Sequence, residues 1–334
     1  MTAPNVNKPR MIYGAEAALQ ALDEAMAADP NVIVFGEDLA DREGGGVMGA
    51  TAGLSTKYGD LRVRSTPISE QAIIGAAVGA AIAGMRPVAE IMLMNFTTVP
   101  MDQIVNHAAK IRFMSGGQTS VPLTIRTMSG AGMGLGGQHS DMLEAWFAHV
   151  PGLKVVVPSN HADWTGLLAS AIFDDDPVLV VEPTLLMRVK GVAAPPGHRV
   201  QLGKAAIARA GADVSVIGYG RPINDALAVA EKLAAEGISV EVVDLRTVAP
   251  YDKEAVLNSV AKTKRAVVVH EAVRNFGVGA EIAAHISEEL FGQLKAPVRR
   301  VASRNTPVPF SPVLEKAFMW SAADIEAAIR STLS

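Results

Sequence analysis

The sequence predicts an α/β protein of two domains, each a parallel or mostly parallel sheet flanked by helices. Three observations carry that expectation. Short β-branched runs alternate with longer stretches of helical period, the pattern of strand–helix–strand crossovers. One stretch, Met187–Leu202, breaks the alternation; it carries Pro195-Pro196-Gly197 and no helical period, so it reads as a linker. The 334 residues, 49% of them hydrophobic, suffice for a core in each of two domains of roughly 100–200 residues.

The elements follow in order. Glu16–Ala28 has helical period and leads into the β-branched run Val32–Phe35. Ser69 is placed to cap a helix over Glu70–Met85, rich in Ala, Gly and Ile, which is followed by the strand Val88–Leu93. Met101–Phe113 reads as a helix, Leu123–Thr127 as a strand and Asp141–His149 as a helix. Leu153–Val157, Ala162–Ile172 and Val178–Glu182 complete the first half as strand, helix and strand. After the break, strands are expected at Val214–Gly218, Val240–Asp244, Arg265–His270 and Val298–Val301. Helices are expected at Asp225–Glu236, Lys253–Thr263, Gly279–Leu290 and Ala322–Leu333. The domains are therefore drawn as residues 1–190 and 204–334, with a linker over 191–203.

Composition excludes several classes. The 30 Lys+Arg and 34 Asp+Glu give a net charge of −4, with no basic excess to neutralise a phosphate backbone, so no nucleic-acid partner is expected. With no cysteine, disulfides, thiolate zinc sites, Fe–S clusters and a Cys nucleophile fall away together, which fits a reducing compartment. The opening MTAPNVNKPRMIYG lacks the apolar core of a signal peptide. The most apolar run, Ile73–Met85, is shorter than the about 20 residues a membrane helix needs. No membrane partner is expected, and the cytoplasm is the expected location, with an organelle matrix as the alternative. The apolar balance points to surface covered by other subunits.

Several motifs could carry chemistry. Gly132-Met-Gly134-Leu-Gly136-Gly137 fits the dinucleotide pattern G-x-G-x-x-G between a strand and a helix. It falls late in the sheet, however, has no strand-end acid about 20 residues on, and ends in His139-Ser140. A loop bending closely around a ligand or partner is the better reading. Thr66-Pro67-Ile68-Ser69-Glu70 puts a carboxylate in the first turn of the apolar helix. It either complements the helix dipole or, against apolar neighbours, exchanges a proton near neutrality. Gly36-Glu37-Asp38 ends a strand, where ligands of parallel sheets bind and where solvated loop acids are also common. His139 in its glycine-rich loop is exposed to a ligand, His107 is packed or solvated, and His270-Glu271 at a strand end read as structural. Met92 and Met94 read as an apolar lining, and no His and carboxylate pair has metal-ligand spacing.

Together the pieces are more specific. Gly36-Glu37-Asp38, Tyr58-Gly59-Asp60, Thr66–Glu70, Met94-Asn95-Phe96 and Asp102-Gln103-Ile104 follow in order. Gly136-Gly137-Gln138-His139-Ser140, His149–Val155, Asp244-Leu245-Arg246-Thr247 and Thr306–Phe310 continue the series. This run resembles the β subunit of the thiamine-diphosphate-dependent decarboxylase component of 2-oxo acid dehydrogenase complexes, of the pyruvate or acetoin type, from about Ile12 to Leu333. The resemblance implies a transketolase-like architecture, with a pyrimidine-binding domain followed by the transketolase C-terminal domain.

It also implies roles. Glu70 falls on the glutamate that protonates the cofactor's aminopyrimidine and promotes the tautomer that deprotonates the thiazolium carbon. Glu37 falls on a second acid of the cofactor site, and Ile68 and Phe96 on residues packing against the pyrimidine. His139 falls on the histidine that handles the reaction intermediate and the incoming lipoyl group. Leu123, Ala171, Ile172 and Asp174 fall where some relatives bind potassium, largely through backbone carbonyls. Asp141 departs from the Gln of many relatives; its charge either alters preference near the channel or caps the following helix. The Gly-Asp-Gly signature that holds magnesium and diphosphate in single-chain thiamine enzymes is missing, since Gly59-Asp60 is followed by Leu61. The implied assembly is an α2β2 heterotetramer in which an α subunit holds Mg2+ and the diphosphate. The implied reaction is oxidative decarboxylation of a 2-oxo acid, pyruvate ahead of acetoin, with acyl transfer to a lipoyl-bearing transacylase. An NAD-dependent oxidoreductase and a non-catalytic scaffold subunit are the alternatives; retention of Glu70 and His139 counts against the scaffold.

Overall fold

The computed structural model describes residues 9–334; residues 1–8, which open the expected first domain and the stretch read against a signal peptide, lie outside it. The first half runs β1 (Met11–Ile12), α1 (Gly14–Ala28), β2 (Val32–Gly36), α2 (Leu54–Tyr58), β3 (Val63–Ser65), α3 (Glu70–Ile82) and β4 (Arg86–Leu93). It continues with α4 (Ile111–Met114), β5 (Thr124–Ser129), α5 (Glu144–Ala148), β6 (Lys154–Val156), α6 (His161–Ile172), β7 (Val178–Pro183), α7 (Thr184–Met187) and β8 (Gly191–Val192). The second half contains β9 (Ala206–Arg209), β10 (Val214–Gly218), α8 (Pro222–Ala234), β11 (Val240–Asp244), β12 (Thr247–Ala249) and α9 (Lys253–Thr263). β13 (Ala266–Val273), α10 (Val278–Glu289), β14 (Arg299–Ser303), α11 (Pro312–Phe318) and α12 (Ala322–Leu333) end it.

A 7-stranded sheet has the order β12-β6-β7-β5-β4-β2-β3, and a 5-stranded sheet the order β14-β13-β10-β11-β9. The first is parallel except for β12 on β6, the second parallel except for β9 on β11. Helices cover both faces. α1 and α6 bury Ala18, Leu22, Leu167 and Leu168 against Val32, Val34, Val178 and Val180. α3 buries Ile73, Ile74 and Ala77 on the other face, against Ile91, Ile125 and Leu179. β7 is buried along its whole length, which is why its sequence is a continuous apolar run without alternation. The core under α3 continues without a break into the second sheet through Val243, Val268 and Ile282, so the two halves share apolar packing.

The differences from expectation lie where tertiary contacts override local pattern. Met101–Phe113 is not one α-helix but a π-helical turn, Gln103–Ala108, followed by α4; the Ala109 amide reaches back to Ile104. Asp141–His149 shrinks to α5 because Asp141 is held elsewhere: its amide donates to Asn95 Oδ1, and its carbonyl accepts from Ser129 Oγ. β3, β9 and β12 escaped sequence reading as short edge strands, and β12 crosses from the second half to pair with β6. The segment expected as linker opens with β8, which pairs with β1. His270 and Glu271 lie within β13, not at its end.

Candidate active site

The carboxyl ends of four strands carry the expected groups: Glu37 follows β2, Ile68 and Glu70 follow β3, Phe96 follows β4 and His139 follows β5. The Gly36 carbonyl, at the end of β2, accepts the Thr66 amide at 2.8 Å, which ties the Glu37 loop to the segment entering α3. Glu70 is the first residue of α3 and half-buried, where the N-terminal dipole favours a carboxylate. Ser69 stands at the cap position, but its side chain makes no capping hydrogen bond. Burial pushes the Glu37 carboxyl upward, and the charges of Glu70 and Asp38 push it further the same way. Glu37 and Glu70 therefore stand close enough for the charge of Glu70 to act on Glu37. Asp38 holds the left-handed conformation at φ 55°, a strain that persists where the surroundings fix it.

The rim of this pair is open. Ile68 is 81% exposed. Among the described residues Thr66 Oγ1, on the segment entering α3, and Gln103 Oε1, whose side chain approaches Gly75 of α3, are buried without a hydrogen-bond partner. The outward face of α3 presents Ala72, Ala76 and Gly79, so a helix apolar all round is covered on one side only.

Phe96 sits in the 3-10 turn Met94–Thr98 after β4 and meets the His139 ring edge-on, with centroids 5.3 Å apart and planes at 84°. His139 is half-buried at the end of the glycine loop. Asn95 fixes that end: its Nδ2 donates to the Gly137 carbonyl at 3.2 Å and to Asp141 Oδ2 at 2.8 Å. Asp141 is thus a brace for the His139 loop and not a cap, since α5 begins later with Leu143 at its cap. The loop amides of Gly132 and Gly134 donate to Glu315, so the nest a pyrophosphate would need is already filled by this chain's own carboxylate.

The structure thus brings Glu37 to Glu70 and Phe96 to His139. Leu123, Ala171, Ile172 and Asp174 lie elsewhere, at the amino ends of the strands. There the Leu123 carbonyl accepts from the Val178 amide, the Ala171 carbonyl from the Asp174 amide, and the Ile172 and Asp174 carbonyls from Arg86 Nη1. Met94 does not line the site: it is 1% exposed in the core. Met92 does line a small cavity, beside Met48, Met128, Glu90, Arg126 and Glu182. His107 is exposed, 3.4 Å from Asp102.

A buried ion triad behind the site escaped the sequence reading. Arg126 on β5 donates to Glu182 at 2.8 and 2.9 Å and to Glu90 at 2.6 Å. Burial works against the Arg126 charge, but the two carboxylates outweigh it and hold the guanidinium protonated. Burial raises Glu90, against the pull of Arg126, and Glu37 adds to the rise. The available signal was a pair of charges interrupting apolar strands at facing positions, Glu90 opposite Arg126.

Residues 11–190 match the model of the transketolase pyrimidine-binding domain, and residues 203–325 that of the transketolase C-terminal domain. The chain is 47% identical over 322 residues to the acetoin:2,6-dichlorophenolindophenol oxidoreductase subunit beta of Cupriavidus necator, covering 94% of this chain and 95% of that one. It is 43% identical over 319 residues to the mitochondrial pyruvate dehydrogenase E1 component subunit beta-2 of Oryza sativa, covering 94% and 84%. A solved structure titled split gene transketolase, inactive beta4 tetramer, superposes with a TM-score of 0.79 at 24% identity, covering 96% and 98%, a likeness of fold. With transketolase domains in this order and relatives alike over nearly their full length, the chain belongs to the family of acetoin and pyruvate dehydrogenase E1 β subunits.

Proposed function

We propose that this chain is the β half of a thiamine-diphosphate enzyme that takes a two-carbon acyl unit from a methyl ketone substrate and passes it to a lipoyl group. The carrying observation is the approach of Glu37 and Glu70 at a rim where Ile68 stands exposed, with Phe96 meeting the His139 ring. A pyrimidine with ring nitrogens and an exocyclic amine fits that donor set: Glu70 meets a basic nitrogen, Thr66 and Gln103 offer polar atoms, and Ile68 and Phe96 supply apolar contact. Once bound, the cofactor supplies a nucleophilic carbanion and an electron sink for cleavage of the bond next to the carbonyl. Glu70 holds a proton at the pyrimidine nitrogen and takes it back, with Glu37 sharing the charge. Phe96 keeps water from one side and orients the His139 ring. His139 gives a proton to the dithiolane sulfur as the acyl unit moves to the lipoyl arm.

Mg2+ and the diphosphate fall to an α subunit in an α2β2 assembly, because this chain has no Gly-Asp-Gly signature, and the small-residue face of α3 suits such a partner. Residues 1–190 would form the pyrimidine domain, 191–203 the linker and 204–334 the C-terminal domain. Potassium would use the second lone pairs of the Leu123, Ala171, Ile172 and Asp174 carbonyls. Among the described residues no helix is long and apolar enough to cross a membrane; the cytoplasm, with its supply of 2-oxo acids, is the proposed location. Pyruvate and acetoin both offer a methyl ketone. The 47% identity to an acetoin enzyme subunit favours acetoin as a second reading beside pyruvate.

Calorimetry on the chain with and without its α partner tests the assignment. Thiamine diphosphate should bind tightly only to the pair, with turnover of pyruvate or acetoin. Tight magnesium-dependent binding to the chain alone would overturn the divided site.

A further inference from the structure

The loop that carries His139 is gripped from the other half of the chain. Gly132 N–H donates to Glu315 Oε1 at 2.7 Å, and Gly134 N–H reaches both oxygens of the same carboxylate, at 3.2 and 3.0 Å. Ala131 N–H donates to Glu271 Oε1 at 2.9 Å. Glu315 lies on α11 and is 3% exposed. Among the described residues no Lys or Arg forms an ion pair with it, so the loop amides are its compensation for leaving water. Gly132, Gly134 and Gly136 all hold positive φ, at 107°, 69° and 73°. Such a loop has many alternative shapes, and its converging amides repel one another unless an anion sits among them. Glu315 is that anion. The Phe310 ring, on the same segment, packs over Gly136, where a β-carbon would come within 2.4 Å of it. The turn then closes with the His139 amide on the Gly136 carbonyl at 3.2 Å, which delivers the imidazole to Phe96.

We infer that Glu315 is a positioning residue for His139: its carboxylate templates the glycine loop and so sets where the imidazole stands. This rests on His139 acting in acyl transfer as read above. It makes α11 part of the working site although it touches no reacting atom. The same carboxylate explains why a G-x-G-x-x-G sequence here serves no nucleotide.

The test uses the assembled enzyme with Glu315→Ala, Glu315→Gln and His139→Ala, read by hydrogen exchange and by lipoyl-dependent and dye-linked turnover. In Glu315→Ala the amides of Gly132 and Gly134 should exchange faster while β5 and α5 are unchanged. Lipoyl-dependent turnover should fall about 10²-fold, the scale of a misplacement of about 1 Å, and dye-linked turnover should fall less. Glu315→Gln keeps one acceptor oxygen and the same volume, so it should recover part of both readouts; it also serves if the alanine variant does not assemble. Unchanged exchange in the variants, or faster exchange with wild-type lipoyl turnover, overturns the inference. Equal losses in both assays, unrelieved by Gln, also overturn it, since they mark a general loss of structure. If His139→Ala keeps full lipoyl turnover, the functional reading fails instead, and the exchange result still decides whether Glu315 holds the loop.

Discussion

Two segments lie at the carboxyl end of the 7-stranded sheet, one after β5 and one after β3, and they are finished to different degrees. The glycine loop from Gly130 to Gly137 has its amides on Glu271 and Glu315, its far end on Asn95 and an aromatic ring over Gly136. The segment Thr66–Glu70 has its backbone tied to Gly36, yet Ile68 stands 81% exposed, Ser69 caps nothing and Thr66 Oγ1 has no partner. A loop satisfied from within its own chain holds a shape. A segment left with polar atoms unmet and an apolar side chain in water is built for something that arrives from outside. The comparison separates two kinds of functional residue: those that contact a ligand, and those that place them.

Breaking the open segment should have the largest effect on activity and almost none on stability. Glu70→Gln keeps size but cannot deliver a proton as an acid, so turnover in the assembled enzyme should drop by about 10²–10⁴-fold. The melting temperature should stay close to wild type, because among the described residues the half-buried Glu70 side chain makes no hydrogen bond whose loss would destabilise the fold. Full turnover in this variant would reduce Glu70 to a helix-end charge.

Breaking the finished loop should do the reverse and act on stability first. Gly130 stands at φ 116°, which side chains rarely adopt, and a β-carbon there would lie 2.5 Å from Glu271 Oε1. Gly130→Ala must strain the backbone and displace a buried carboxyl group, a combined cost of about 3 kcal/mol. Urea denaturation checks it, and a cost below ~1 kcal/mol would mean the loop relaxes freely.

The same contrast explains what could be read from the sequence. α3 with Glu70 at its start, the order of strands and helices, and the positions of Glu37, Phe96 and His139 were legible because each rests on a local pattern or a contiguous motif. The glycines of the 130s loop were legible as well, but not what fills them, since Glu315 lies 183 residues from Gly132 in the chain. The Glu90–Arg126–Glu182 triad failed for the same reason: its members read singly as interruptions of apolar strands and acquire meaning only when β4, β5 and β7 lie side by side. Local periodicity also cannot see that Asn95 claims Asp141, so the pattern starts a helix at Asp141 where α5 begins at Glu144.

His139 stands at the end of the finished loop, with its ring edge-on to Phe96. His139→Ala should lower lipoyl-dependent turnover by about 10²-fold. Dye-linked turnover should fall less, because a dye accepting electrons needs no proton delivered to sulfur. Parallel losses with unchanged cofactor affinity would remove the acyl-transfer role. Parallel losses together with a lower melting temperature would make His139 a packing residue of the loop.

The smallest effect concerns the grip on the loop by Glu271, and its sign is fixed by burial. Being taken out of water pushes this carboxyl from 4.5 up to about 8; the Ala131 amide opposes the rise and the nearby Glu144 charge adds to it. Across that window the native state holds a proton that the unfolded chain has lost, so stability falls as pH rises through it. Buried Asp244, pushed up to about 7, works in the same direction at lower pH. His270, pushed down by burial from 6.5 to about 4, gains stability with rising pH only below its unfolded value. Between about pH 7 and about pH 8 the native Glu271 keeps more of its proton than Asp244 does, so it carries the larger share of the loss, and His270 carries none. Glu271→Gln removes the titration and keeps an acceptor oxygen for the Ala131 amide. The wild type should lose up to ~1.4 kcal/mol per pH unit more than this variant across that interval, in urea denaturation at matched ionic strength. Equal slopes would mean that Glu271 is already ionised at neutral pH, so that the Ala131 amide meets a carboxylate there and not a neutral acid.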